Sequence, residues 1–312
     1  MTANLAALVA ASLDRPVAGP VRAFATDLAH EAGAVAVLFY GSNLRTGALD
    51  GVLDFYVLTD GPAERGLWPR VGYRECNGLR AKIATMTLAM FEAACADRTI
   101  DTTIWTRFVQ PAALAWAADG AQVRVEAAVA AAAITAGRYA AALGPQAGEA
   151  ADYWRALFRA TYAAELRVEA KGREEQILEV HGDHLTALLP AAWDAGPIPF
   201  RADAPVRSQG DKPDALNPEL PPGRENARFA VGLEPDARTR ILNRWKRRRR
   251  LGRPLNIVRL IRAAFTFDGA ARYAAWKIER HTGVAVPITP FRERHPVLAA
   301  PGVLWRVWRA RA

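Results

Sequence analysis

The stretch FYGSNLRTGALDGVLDFYVLTD, residues 39–60, decides how the rest of the chain is read. It leaves one apolar run at Tyr40, breaks at Gly41-Ser42, and enters a second apolar run through a carboxylate, Asp54. Just upstream, AVAVLFY (34–40) is a short continuous apolar run with β-branched and aromatic residues, the pattern of a buried strand. DFYVLT (54–59) predicts a second strand and LRAKIATM (79–86) a third. Two readings of the break stand side by side: a plain turn between buried strands, or a site for phosphate and metal.

Outward from this core the chain divides by pattern. Residues 20–32 predict a helix, with Pro20 in the first turn, Val21, Phe24 and Leu28 as its apolar stripe and Gly33 as terminator. From Thr87 to Leu189 the apolar spacing turns helical, in segments 87–96, 111–118, 121–143, 149–170 and 173–189. Residues 196–225 hold seven of the twenty prolines and read as a linker. The expected class is α+β: a small mixed sheet with helices (1–118), a helical domain (119–195), a proline-rich loop (196–237) and a basic helical C-terminus (238–312).

Composition narrows the partners. A chain of 312 residues that is 51% hydrophobic can bury a sizeable core. Its two cysteines, Cys76 and Cys95, form no CxxC or Cys/His cluster, which argues against a structural zinc or a disulfide framework and fits a reducing cytoplasm. The N-terminus lacks a basic leader and meets Asp14-Arg15 early, so it reads as a short amphipathic helix rather than a signal peptide. The alanine-rich uncharged run 127–137 is shorter than the roughly 20 residues a bilayer requires. The net charge of +9 is unevenly placed: residues 238–312 carry 19 Lys+Arg against 3 Asp+Glu, while the first 237 are net acidic. That tail implies a polyanionic partner, an anionic membrane or nucleic acid.

A strand ending in Gly41-Ser42 and a following strand opened by Asp54 together resemble the nucleotidyltransferase signature of the polymerase-β type. The chemistry is intelligible. Gly41 lets backbone approach a triphosphate with no Cβ in the way, while Ser42, Asn43 and the turn amides can donate to phosphate oxygens. Asp54 can hold Mg²⁺, which bridges a triphosphate and offsets charge as pyrophosphate leaves. Such transfer needs positioning and neutralisation more than a covalent nucleophile. The superfamily usually places a second acid at the alternate strand position. Here that residue is Tyr56, so Asp50 and Asp60 are the nearest substitutes as further metal ligands.

Further motifs in the same order narrow the resemblance. FYGS, VLDFYVL, TDGP, LRAKIATM, RFVQP (107–111), FRATYAAELRVEAK (158–171) and NIVRLIRAAFTFDGAARYAAWKIER (256–280) are similar to segments of the mitochondrial-type phosphatidate cytidylyltransferases. These are peripheral CDP-diacylglycerol synthases of the translocator assembly and maintenance type. Gln110 stands where that family has lysine. The resemblance implies a reaction of CTP with phosphatidic acid, giving CDP-diacylglycerol and pyrophosphate with Mg²⁺ as cofactor. It implies Lys82 and Arg107 as the cations that neutralise the triphosphate or the lipid phosphate. From the residues alone, Lys82 also suits a solvated strand edge, and Arg107 an ion pair with Asp97 or Asp101.

The tail carries ILNRWKRRRRLGRP (241–254) and PGVLWRVWRARA (301–312), mixing arginine with tryptophan. Trp245, Arg248, Arg259, Arg262, Trp305, Arg306, Trp308 and Arg309 are the expected contacts to an anionic membrane surface, tryptophan at the interface and arginine on head groups. The expected location is cytoplasmic, peripheral to the inner face of the cell membrane. Arginines on phosphates and tryptophans on bases are the less favoured alternative, and Trp305 and Trp308 packing back on the protein a third. Transfer to another acceptor, such as a tRNA end or a small molecule, and a non-catalytic binding protein complete the alternatives. The histidines of HGDH (181–184) read as surface or loop residues, and Glu174, Glu175 and Glu179 as a solvated helix face.

Overall fold

Alternation along the strands sorts the first third of the chain into two faces of one sheet. In the computed structural model the described residues are 4–64, 66, 68–165, 172–203, 227–264, 275, 279, 284–291 and 296–309, backbone only at 165, 203, 253, 256–264, 296–298, 300, 304, 307 and 308. The strands are β1 (Ala34–Tyr40), β2 (Val52–Thr59), β3 (Arg70–Cys76), β4 (Leu79–Thr87) and β5 (Ala112–Ala117), in the order β3-β4-β2-β1-β5. β2 and β4 are parallel and every other pair is antiparallel. Val37, Phe39, Leu53, Phe55 and Val57 point to one face, where α2 (Gly19–Ala32) covers them. Phe24 of that helix stacks on Phe55 with ring centroids 5.7 Å apart.

Leu38, Tyr40, Tyr56, Leu58, Ala84 and Met86 point to the opposite face and enter a larger core. It is shared with α1 (Leu5–Leu13), α4 (Leu88–Cys95), α5 (Thr103–Phe108), α6 (Ala121–Leu143), α7 (Ala150–Glu165) and α8 (Arg173–Ala195). The protein is thus α+β, and the boundary expected at residue 118 is no break in packing. The alanine-rich α6 makes this possible: small side chains let Trp154, Tyr153 and Trp193 bury fully around it, and Trp193 Nε1 donates to the Gly137 carbonyl at 2.8 Å.

Three strand regions depart from expectation. Segment 111–118 is not helical. Its six-residue AALAWA run is too short for helical spacing to be distinguished, and it extends to pair with the outer side of β1. β3 is an exposed edge strand whose polar residues hide its alternation, and it joins β4 through Asn77-Gly78, both at positive φ. A small sheet of β6 (Ala147–Glu149), β8 (Arg228–Val231) and β7 (Phe200–Asp203) closes over Trp193. Its last two strands flank the proline-rich stretch, whose residues 204–226 lie outside the described ones.

In the tail come α9 (Pro235–Ala264) and α10 (Pro296–Arg309). At 30 residues α9 is about 45 Å long, and it packs against α6 and α7. Arg238 near its start donates to the carbonyls of Ala142 and Gly144, at 3.0 and 2.7 Å, and so satisfies the end of α6. Trp245 and Arg248, expected at an anionic surface, are instead buried, each 5% exposed. Trp245 packs on Tyr139 and Trp105 with centroids 5.1 and 6.5 Å apart. Arg248 reaches Asp97, the Tyr139 hydroxyl at 3.2 Å and the Thr99 carbonyl at 2.6 Å. Asp97, held at positive φ, also accepts from Arg138 (2.6 Å), Arg244 (3.1 Å) and Tyr139. The helical period explains the correction: residues 241, 245 and 248 share one face, and that face is the packed one. Among the described residues no helix is long and apolar enough to cross a membrane.

Candidate functional site

Register across the sheet assembles the site. Tyr40 of β1 lies opposite Asp54 of β2, Asp54 beside Lys82 of β4, and Lys82 opposite Tyr73 of β3. Cross-strand partners share a face, so Tyr40, Asp54, Lys82 and Tyr73 form one row, with neighbouring Cβ atoms about 5 Å apart. The row sits at the end of β1, on the face that turns toward the helices. Asp54 and Lys82 are half-buried there. The α5 turn adds Arg107, also half-buried, whose guanidinium lies 4.7 Å from the centre of the Tyr40 ring. Of the two carboxylates expected near it, Asp97 belongs to the α9 cluster, and Asp101 accepts from the Thr103 amide and hydroxyl to start α5. Burial raises the Tyr40 pKa far above its usual value; Arg107 opposes this and Asp54 adds to it. Tyr40 therefore stays a phenol.

Gly41 closes the row. It has φ 93° and ψ −165°, a region essentially restricted to glycine, and a Cβ there would lie 3.1 Å from Asp54 Oδ2. The Gly-Ser break and the acidic strand mouth are therefore two sides of one contact. Gly41→Ala is expected to cost about 1–3 kcal/mol in backbone strain and to displace the Asp54 carboxylate. Thermal melting measures the first effect, and loss of divalent-ion binding at unchanged helix content the second.

The other expected residues separate. Ser42 is exposed beside Gly41. Asn43 is committed to the loop itself: its amide donates to the carbonyls of Ala48 and Asp50, both at 2.9 Å, so it braces the loop rather than offering that amide to a nucleotide. Asp50 is exposed at the same end of β2 as Asp54. Asp60 follows the opposite end of the strand, about 20 Å along it, within the field of Arg124 on α6, and cannot share an ion with Asp54. Tyr56 is 5% exposed among Tyr40, Phe91 and Phe108, with its centroid 5.2 Å from that of Phe108. An acid there would sit in an aromatic core. Among the described residues no three His, Cys, Asp or Glu side chains gather as a metal cage. Mg²⁺ seldom uses one, being held by one or two carboxylates together with substrate phosphates, and Asp54 beside a bare glycine turn suits that mode.

The HGDH residues were undervalued. α8 is broken at His181 (φ −125°, ψ 19°), and the bend faces the Gly41 turn across a cleft of about 250 Å³. Arg15, Gly41, Arg45, Pro111, His181 and His184 are among its lining residues. His184 is half-buried and its Nε2 donates to the Val109 carbonyl at 3.1 Å. Burial lowers its pKa to about 4, against the opposing pull of that hydrogen bond. Burial also lowers that of His181, helped by Arg15, Arg45 and Arg173. Because the native state excludes a proton that an unfolded histidine accepts near pH 6.5, His184 makes stability fall as pH drops from about 6.5 toward 4. A pH series of thermal melts should lose part of that slope in His184→Gln. Tyr73 was also missed at the sequence level; the Asn77-Gly78 hairpin turn was the signal that would have found it.

In the tail, Arg259 and Arg262 lie in the last turns of α9 and Trp308 in α10, their side chains outside the described atoms. Arg306 is exposed, and Trp305 is 58% exposed with the Arg309 guanidinium 5.2 Å from the centre of its ring. Leu251, Ile288 and Phe291 are further exposed apolar residues of this region. Arg240, Lys246, Arg247, Arg249 and Arg250 are exposed along α9. Arg167, Tyr273 and Lys277, quoted within the resemblance, lie outside the described residues. No protein-family model and no curated protein sequence matches the chain.

Proposed function

We propose that the protein is a Mg²⁺-dependent nucleotidyltransferase that moves CMP from CTP to phosphatidic acid, or a related lipid phosphate, at an anionic membrane surface. The observation that carries this is the row itself: Asp54 against the bare backbone of Gly41, with Lys82 beside it and Arg107 over Tyr40. Asp54 is the residue that would hold Mg²⁺, with exposed Asp50 at the same end of the strand as the nearest second carboxylate. A bound Mg²⁺ supplies charge neutralisation on the triphosphate. Lys82 and Arg107 contribute positive charge at the same end of the sheet, where charge moves onto pyrophosphate as it leaves. A lipid phosphate is already an anionic nucleophile, so the lack of an obvious general base in the row is no obstacle. Gly41 keeps that end of the sheet open to phosphate, and the aromatic wall of Tyr40, Tyr56 and Phe108 excludes water behind it.

The chemistry is tested by pyrophosphate release from purified protein given Mg²⁺, CTP and vesicles containing phosphatidic acid. Release with this lipid and not with neutral lipid is the expected result; no turnover with any lipid phosphate overturns the enzymatic reading and leaves a binding protein. The membrane part rests on exposed Trp305, Arg306 and Arg309 beside the outer arginines of α9. Each basic residue near an anionic surface is worth about 1 kcal/mol. Deleting residues 301–312 is therefore expected to weaken sedimentation with anionic vesicles by at least about tenfold. Unchanged sedimentation would sink that part, as would equal loss with RNA in place of vesicles.

A further inference from the structure

The cleft between the Gly41 turn and the bend of α8 has a charge pattern that the row of Asp54, Lys82 and Arg107 does not use. Arg15, just past α1, and Arg45, in the short α3 (Ser42–Thr46), both line it. Both are exposed, and neither makes a salt bridge to a described residue, whereas Arg70, Arg74, Arg124, Arg138, Arg155 and Arg159 all do. They act on a common point: the charged neighbours that depress the His181 imidazole are Arg15, Arg45 and Arg173, all cations. Glu179 and Asp183 also line the cleft, and both are exposed to water. At about 250 Å³ the space falls below the roughly 300–1,000 Å³ of sites for whole drug-sized ligands, and suits a small charged group. The helix break at His181 lies in its wall.

We infer that this cleft is a second anion pocket, holding a phosphate or diphosphate group between Arg15 and Arg45 with His181 beside it, next to the Asp54 row and sharing only Gly41 with it. The choice of phosphate over other anions rests on the nucleotidyltransferase reading; the existence of an anion pocket does not. Two sources carry the same chemistry, the distal phosphates of a nucleoside triphosphate and the phosphomonoester of the acceptor. Either would be anchored here while the reacting phosphate lies at Asp54. The arrangement makes Arg15 and Arg45 positioning residues, ones that hold a part of the substrate away from the bond that breaks.

Isothermal titration of the full chain with pyrophosphate in the absence of divalent ions tests the pocket. Binding should weaken about tenfold or more in Arg15→Gln and in Arg45→Gln, at unchanged melting temperature, and persist in Asp54→Asn. The same titration with CTP and with short-chain phosphatidic acid identifies the source, because the arginine variants should lose affinity for one and keep it for the other. Persistence in Asp54→Asn also separates the two readings: pyrophosphate bound through the arginines by a protein that turns over no CTP supports the pocket and removes the enzyme. Pyrophosphate affinity equal to wild type in both arginine variants, or no pyrophosphate binding at all, overturns the inference.

Discussion

Replacing Asp54 by asparagine is expected to lower CTP turnover by at least about 10³-fold, or about 4 kcal/mol of transition-state stabilisation, while the melting temperature stays within about 2 °C. Two facts set this contrast. The side chain is only half-buried at a strand mouth, and asparagine keeps its shape against Gly41, so the fold loses little. The charge, however, is the one carboxylate on that face of β2, because Tyr56 occupies the alternate position inside an aromatic cluster. With no second acid on the strand to compensate, divalent-ion affinity should collapse together with turnover. Initial rates across a Mg²⁺ titration measure both. A variant that keeps its rate at saturating Mg²⁺ would show that Asp54 merely pairs with a neighbour in the sheet. Asp60→Asn should leave turnover unchanged, since that residue lies at the far end of the strand.

Asp97→Ala is expected to be the most damaging single change to stability, costing about 3–5 kcal/mol and lowering the melting temperature by about 10 °C. The Asp97 side chain is 2% exposed and faces the buried guanidinium of Arg248, together with Arg138, Arg244 and the Tyr139 hydroxyl. Removing it leaves a buried cation with only carbonyls and a phenol for company. The companion change Arg248→Met should recover part of the loss, because an apolar side chain of similar length fills the space without an unpaired charge. Thermal melts of the single and double variants decide it. If Asp97→Ala costs less than about 1 kcal/mol, α9 is held by its apolar contacts alone.

Much of this arrangement was legible beforehand for a plain reason. Buried strands are dense in β-branched and aromatic residues, so β1, β2 and β4 stood out, with Asp54 opening one and Lys82 inside another; that the two share a face came only from the strand register. What stayed hidden was long-range. An edge strand such as β3 looks polar, and a six-residue apolar run such as β5 has no period of its own until β1 offers it a partner. The arginine-rich run of α9 read as one charged surface because sequence cannot say which side of a helix meets Asp97, and Trp245 and Arg248 were assigned outward when the packed face was theirs. HGDH was set aside for a similar reason. Nothing local marks a bend in α8 that only its position opposite Gly41 makes useful.

The clasp of Arg248 on residues 97–101 joins segments about 150 positions apart in the chain. During synthesis, Trp105 and Tyr139 must therefore wait, with the flank that Trp245 later covers open to solvent, until α9 has emerged. Closing so long a loop is slow relative to forming the local helices. The basic arm is thus the last piece of the interior to be delivered, and a ribosome that stops short of residue 248 releases a chain whose core is still unsealed and prone to self-association. Whatever else the arm touches, it first finishes the protein that carries it.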